Sequence, residues 1–265
     1  MVAATDDLAL ALELADIADS ITVARFRADD LIVETKPDLT PVSEADRDVE
    51  QALRARLARD RPGDAVVGEE YGGSDGAAAN RRRWIVDPID GTKSYVRGVP
   101  VWATLLALEH DGELVVGVVS APALGRRWWG SQGSGAFVRD GVDGNAPRRL
   151  RVSAVRSLED AQLCFAGFEE WRDVGRLDAL LELGRRCWRT RGYGDFWQYM
   201  LVAEGALEIG IDPDVSLWDL AAPMVVVVEA GGRFTDLAGK PTPDGGDAIA
   251  TNGVLHEAAR AFVSR

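Results

Sequence analysis

The segment Trp84-Ile85-Val86-Asp87-Pro88-Ile89-Asp90-Gly91-Thr92 puts two carboxylates three residues apart at the end of an apolar run. The run reads as a buried strand that delivers Asp87, with Pro88 stopping the strand and Asp90 returning on a turn. Two carboxylates so placed can share one divalent cation or bridge two, because hard cations take several oxygen ligands at close range. Gly91 and Thr92 then offer backbone N–H groups to a phosphate at the start of a short helical turn. Alone, the motif reads more readily as an Asx-turn with a capping aspartate. It does not stand alone. Val66-Val67-Gly68-Glu69-Glu70 is an apolar strand ending in two acids, and neighbouring residues point to opposite faces, so one can face a site. Asp219 sits among apolar residues at a helix start, where Ser216 and Asp219 also fit a capping box, and Asp46 opens another helix on its apolar side. Buried carboxylates must be paired or bound to metal. With no comparable set of lysines and arginines beside them, metal is the joint explanation for Asp46, Glu69, Asp87, Asp90 and Asp219.

The bulk properties point the same way. A net charge of −13 over 265 residues repels a nucleic-acid backbone, and a small anionic substrate then needs bound metal to gather it. The two histidines, His110 in a turn and His256 in the last helix, are both expected at the surface. Such scarcity excludes phosphatases built on a histidine nucleophile or a histidine metal cluster. A cysteine phosphatase needs arginine six positions after its cysteine. Cys164 is followed there by Glu170 and Cys187 by Tyr193, and both thiols read as buried and reduced. The Asp-x-Asp pattern of the haloacid dehalogenases is not met by Asp87-x-x-Asp90. No run of 18 apolar residues can span a membrane, and the first residues lack a basic leader, so the expected location is the cytoplasm.

The elements that must hold these acids follow from periodicity. Leu10, Leu14, Ile17 and Ile21 mark a helix over 6–28, and 30–34 a short strand. A loop with two prolines follows over 35–41. Ser43 and Asp46 then cap a helix with its stripe at Val49, Leu53 and Leu57. Hairpins are expected at 101–120, turning at Asp111-Gly112, and at 126–138. Residues 140–147 read as a loop between an N-terminal α+β half, 1–147, and a C-terminal α/β half, 148–265, which can pack as one unit. In the second half, strands are expected near 162–166, 188–190, 206–211 and 248–251. Helices are expected near 173–186, 195–204, 217–230 and 254–264. Val225 to Val228 is β-branched, but Glu229-Ala230-Gly231-Gly232 favours a helix end. The fold class is an α+β and α/β layered sandwich.

Gly68-Glu69-Glu70, Asp87-Pro88-Ile89-Asp90-Gly91-Thr92 and Trp218-Asp219-Leu220-Ala221, in that order, resemble the inositol monophosphatase family, with Asp38 to Asp46 and Glu229-Ala230-Gly231-Gly232 also fitting. Gly91 to Trp102 and Arg191-Gly192-Tyr193-Gly194-Asp195-Phe196 look like the actinobacterial histidinol-phosphate phosphatases within it. Many inositol-specific members carry Asn-Phe where this chain has Ser94-Tyr95. The resemblance implies alternating α-β-α-β-α layers, a homodimer, and two or three Mg²⁺ ions, with Mn²⁺ an open alternative. Glu69, Asp87 and the Ile89 carbonyl would hold one ion, Asp87, Asp90 and Asp219 a second, and Glu69 with waters a weaker third. Thr92 and Asp46 would orient the attacking water, and Gly91 and Thr92 would hold the phosphate. Histidinol phosphate carries an ammonium and an imidazole, for which Asp195 and Asp212 are candidates. An N-cap and a turn residue are their ordinary readings. Arg191 serves either the phosphate or a structural ion pair. Competing readings are hydrolysis of inositol monophosphate or another sugar or nucleotide phosphate on the same site, and a catalytically silent metal and phosphate binder.

Overall fold

In the computed structural model, residues 2–37, 39–73, 81–141 and 146–264 are described. Asp38 and residues 142–145, within two of the loops expected from sequence, lie outside them.

Helix α1 (Val2–Arg25) leads through the strands β1 (Val33–Thr35) and β2 (Pro41–Ser43) to α2 (Glu44–Asp60). The prolines at 37 and 41 do bar helix, but Pro41 opens a strand that pairs antiparallel with β1. Next come β3 (Ala65–Gly68), β4 (Gly72–Gly73), β5 (Arg82–Asp90) and the short helix α3 (Thr92–Val96). β6 (Ala103–His110) and β7 (Glu113–Ala121) form the expected hairpin, and Asp111 and Gly112 both take positive φ, 54° and 83°, as a tight hairpin turn requires. β8 (Arg126–Ser131), β9 (Gly135–Asp140) and β10 (Arg148–Arg149) follow. Among the described residues, eight of these strands form one sheet in the order β10-β9-β8-β7-β6-β5-β3-β4, antiparallel except for β3 with β5.

The remainder runs β11 (Gln162–Phe165), α4 (Phe168–Asp173), α5 (Leu177–Arg186), β12 (Arg189–Arg191), α6 (Asp195–Ala203), β13 (Ile209–Asp212), α7 (Leu217–Glu229), β14 (Arg233–Thr235), β15 (Ala248–Thr251) and α8 (His256–Val263). A second sheet has the order β12-β11-β13-β15-β14. Of the helix expected over 173–186, Leu177–Arg186 forms α5, while Asp173 ends the separate α4, and Gly175 between them has a φ of 73° that suits glycine. β14 has no counterpart in the sequence reading, because three residues are too short to show a period. Val225 to Val228 is helical as expected.

Alternation along β5 sets the layers. Trp84 and Val86 pack with Leu14 of α1 and Leu53 of α2, whereas Ile85 between them packs with residues of α6 and α7. Leu163, Ile209 and Ile211 of the second sheet meet Leu180 and Leu183 of α5 and Ala259 and Val263 of α8. The order is therefore α1/α2, first sheet, α6/α7, second sheet, α5/α8, the alternating sandwich expected. The central core joins residues on both sides of 147/148, and β10 pairs with β9.

His256 corrects one expectation. It is buried, at 0% exposed, with its ring nitrogens 3.0 Å from Thr235 Oγ1 and 3.1 Å from Thr251 Oγ1. Burial pushes its pKa down to about 4, so it is a neutral core residue between β14 and β15.

Candidate active site

Pro88 does not stop β5. The strand runs on to Asp90, but Asp87 pairs with Leu105 and Asp90 with Ala103, three steps on β5 against two on β6. The extra residue is a bulge, where proline's missing N–H costs no ladder bond. Thr104 Oγ1 donates to the Pro88 carbonyl at 2.7 Å and holds the bulge. Residues three apart on a regular strand face opposite ways, and the bulge shifts that parity so that both carboxylates turn the same way.

Asp219 meets them from the first turn of α7. Its Oδ2 accepts the Ser216 N–H at 2.8 Å, so it caps the helix and also faces the site. One carboxylate oxygen from each of Asp87, Asp90 and Asp219 lies within 4.8 Å of the other two. Asp90 Oδ2 accepts the Phe196 N–H at 2.6 Å and so caps α6. Asp87 is 1% exposed and its buried Oδ1 has no hydrogen-bond partner among the described residues. Burial, then the charge of Glu69 and of Asp90, holds the Asp87 carboxyl well above its usual range. Burial and Asp195 do the same to Asp90, and burial lifts Asp219 to about 7. Mutual repulsion, burial and an orphaned oxygen are what a hard cation would relieve, and the all-carboxylate donor set suits one.

Glu69 stands beside the triad. Its amide donates to the Val86 carbonyl at 3.2 Å, and its Oε1 accepts from Lys36 Nζ at 2.7 Å. Lys36 also bonds Glu70 at 2.6 Å. Sequence reasoning missed this cation, which lies in the proline-bounded loop and meets the acids only through tertiary folding.

Asp46 is buried at the start of α2. Its Oδ2 accepts from the Ser43 N–H at 2.8 Å and the Ser43 hydroxyl at 2.6 Å, closing the expected capping box. Its Oδ1 lies 3.2 Å from Thr92 Oγ1, which is also 2.9 Å from the Ile89 carbonyl. Burial pushes Asp46 up to about 6. Gly91, with φ 81°, precedes α3, and an added Cβ there would sit 3.3 Å from Asp195 Oδ2. The first N–H groups of a helix lack acceptors in the helix and are open to an anion.

Two adjoining cavities meet here and share Asp195 and Asp219. The larger, about 470 Å³, is lined by Lys36, Glu69, Gly91, Thr92, Lys93 and Trp218 besides those two. The smaller, about 160 Å³, adds Asp90, Glu170, Asp212 and Asp214, with no lysine or arginine in its lining. Asp195 opens α6 with φ 48°, an uncommon setting for a side chain and one often found at functional sites. Crowding by protein, with Glu170 nearby, raises it to about 6, while Lys93 opposes the rise. Asp212 is buried, with Oδ2 bonded by Gln198 and Tyr199 and Oδ1 without a partner. Burial lifts it to about 7. Glu170 and Asp214 were not singled out from sequence. Glu170 sits in a short helix among other surface acids, and nothing local marks it. Arg191 lines neither cavity. It is exposed on β12, and its guanidinium donates to the neighbouring Thr190 carbonyl at 2.7 Å.

Comparison with known proteins agrees with this geometry. The chain is 58% identical over 252 residues to a histidinol-phosphatase of Mycobacterium tuberculosis, covering 95% of each chain. It is 53% identical to a histidinol-phosphatase of Streptomyces coelicolor, covering 98% of this chain and 97% of that one. Among solved structures, the extragenic suppressor protein suhB of Bartonella henselae superposes with a TM-score of 0.87 at 28% identity, covering 97% of this chain and 98% of that one. The model of the inositol monophosphatase family matches residues 4–264, and the chain belongs to that family.

Proposed function

We propose that this chain is a Mg²⁺-dependent phosphomonoesterase that hydrolyses L-histidinol phosphate to L-histidinol and phosphate. One observation carries the reading: the joined cavities are polarised. The larger offers Lys36, Lys93, Gly91 and Thr92 beside Glu69 and Asp219 as the place for a phosphate. The smaller gathers Glu170, Asp212 and Asp214 with Asp90, next to the shared Asp195 and Asp219, and among the described residues no lysine or arginine lines it. Histidinol phosphate is polarised in the same sense, with its anion at one end and its ammonium and imidazole at the other. Inositol phosphate has only neutral hydroxyls to offer the acidic end. The histidinol-phosphatases that this chain resembles support the same substrate.

In this reading Asp87, Asp90 and Asp219 would hold one Mg²⁺, and Glu69, Asp87 and the Ile89 carbonyl would hold another. A third, weaker ion would use Glu69, and Mn²⁺ can take the same oxygens. When bound, the metal neutralises phosphate charge and makes water acidic enough to act as nucleophile near neutral pH. The chain's own groups do the rest. Gly91 and Thr92 N–H groups hold phosphate oxygens. Thr92 Oγ1, held by its contacts to Asp46 and Ile89, accepts a hydrogen bond from the attacking water and sets its line of approach. Water attacks phosphorus, the ester P–O bond breaks, and the alcohol leaves with a proton. No covalent phosphoenzyme forms. As part of the same reading the enzyme is a cytoplasmic homodimer. The exposed indole of Trp188, 66% exposed and next in sequence to the edge strand β12, is an apolar group that a second copy would cover.

The test is phosphate release at fixed Mg²⁺ from L-histidinol phosphate, inositol 1-phosphate and a nucleotide monophosphate. The expected kcat/KM preference for histidinol phosphate is about a hundredfold or more, ~3 kcal/mol of discrimination. Comparable rates on all three would reject the substrate while leaving the metal site standing.

A further inference from the structure

Three successive backbone amides fix the turn that follows β3. The Glu69 N–H donates to Val86 on β5, one residue before Asp87. The next two amides go elsewhere: Glu70 N–H donates to Glu50 Oε2 at 2.8 Å, and Tyr71 N–H lies 3.3 Å from Glu50 Oε1. Glu50 is 0% exposed. It lies on α2 four residues after Asp46, one helical turn further along the same face. Its remaining charge meets Arg54, whose Nε is 2.8 Å from Oε1, and the same guanidinium also donates to the Gly72 carbonyl. The turn from Glu69 to Gly72 is thus wrapped round the buried Glu50 and its partly exposed partner Arg54.

Gly68 shows how closely this fits. An added Cβ at 68 would fall 2.1 Å from Glu50 Oε1, so only glycine lets the carboxylate reach the amides beyond it. The glycine before Glu69-Glu70 is required by Glu50, a residue eighteen positions earlier on another element. Of these described residues, Glu69 alone lines the cavity. A fully buried carboxylate is expensive to hold, and a plain hydrophobic side chain would fill the space at lower cost. What Glu50 adds is direction. With the Glu69 amide tied to β5 and the next two tied to α2, the Glu69 side chain leaves the backbone at a set angle toward the triad.

We propose that Glu50 is a positioning residue that aims Glu69 for the divalent cation, so that α2 orients the site twice, through Asp46 onto Thr92 and through Glu50 onto Glu69. This rests on the metal reading above but not on the identity of the substrate. The test is calorimetric titration of the metal-stripped full chain with Mg²⁺, comparing wild type, Glu50→Gln and Glu208→Gln. Glu208 is a matched control, since it is buried and accepts the Gln162 N–H at 2.8 Å, but it lies at the opposite end of β13 from Asp212. Glu50→Gln is expected to weaken Mg²⁺ binding about tenfold or more, the usual cost of losing a group that orients a ligand. Glu208→Gln is expected to cost thermal stability while leaving Mg²⁺ affinity unchanged. Wild-type affinity in Glu50→Gln, or an equal loss in Glu208→Gln, overturns the proposal. Should Glu50→Gln fail to fold, amide hydrogen exchange on wild type decides: Mg²⁺ must slow exchange at Glu70 and Tyr71, and no change there overturns it. A wild type that binds no Mg²⁺ sinks this proposal together with the metal reading. A wild type that binds Mg²⁺ but does not prefer histidinol phosphate leaves it intact.

Discussion

Asp90→Asn separates the two things the acid triad does. The change keeps an oxygen that can accept the Phe196 N–H, so α6 stays capped and the fold should survive. It removes one charge from three carboxylates whose facing oxygens lie within 4.8 Å. Two full charges at that distance repel by about 3 kcal/mol at an effective dielectric of about 20. Burial first, and the neighbouring carboxylates after it, raise the pKa values of Asp87, Asp90 and Asp219, so part of this repulsion is open to relief by protonation. The remaining relief should be about 1 kcal/mol, or roughly 2–4 °C in Tm for a chain of this size. In EDTA, therefore, the variant should melt higher than wild type. With saturating Mg²⁺ the order should reverse, because wild type gains binding energy that the variant has lost. Turnover should fall on the order of a thousandfold, ~4 kcal/mol, as a cation loses a charged ligand. The assays are phosphate release and thermal melts with and without Mg²⁺. Wild-type turnover, or an undiminished Mg²⁺ shift in Tm, would refute the ligand role. A lower Tm in EDTA would refute the repulsion argument even if activity vanished.

Other outcomes follow from the same geometry. Thr92→Val should lower kcat about a hundredfold with little change in Mg²⁺ affinity if the hydroxyl bonded to Asp46 and Ile89 positions water rather than metal, as proposed. An equal loss of Mg²⁺ affinity, measured by titration, would contradict that role. Asp195→Ala should raise KM for histidinol phosphate more than for inositol 1-phosphate, by about tenfold against about twofold, and equal effects would remove Asp195 from substrate recognition. His256 has a folded pKa of about 4, below the ordinary value of 6.5. The unfolded chain therefore binds the proton first, and stability falls as pH drops from 6.5 toward 4, by about 3 kcal/mol in total. Denaturant melts of wild type and His256→Gln across that range should show a shallower fall in the variant, and parallel curves would deny that His256 titrates in unfolding.

The sequence showed the acids but not the device that makes them converge. Asp87 and Asp90 were recognisable because carboxylates beside an apolar strand are anomalous, an anomaly visible in composition alone. Their common direction depends on a bulge defined by the register against Leu105 and Ala103 of β6, and no local pattern encodes register between strands. Pro88 was read as a stop for the same reason, since a bulge is one of the few places inside a sheet that tolerates proline. Asp46 and Asp219 were legible twice over, as caps and as site residues, and the structure shows the two readings to be compatible: one oxygen of each caps its helix, and the other side of the carboxylate faces the site. Lys36, Glu170 and Glu50 were opaque because their roles are wholly tertiary. A lysine in a loop, a glutamate in a short surface helix and a glutamate in a charged helix are ordinary residues until folding supplies their neighbours. His256 erred in the opposite sense. A polar residue at a helix start is usually wet, and only the threonines of β14 and β15 make its burial tolerable. Sequence thus reveals residues that are out of place where they stand, such as acids in apolar runs, and hides those whose partners come from elsewhere. The proposed metal ligands belong to the first kind and Glu50, proposed to aim one of them, to the second, so a chain could carry all of those acids while differing in Glu50 or Gly68. Such a chain should keep the site's composition and lose its affinity for Mg²⁺.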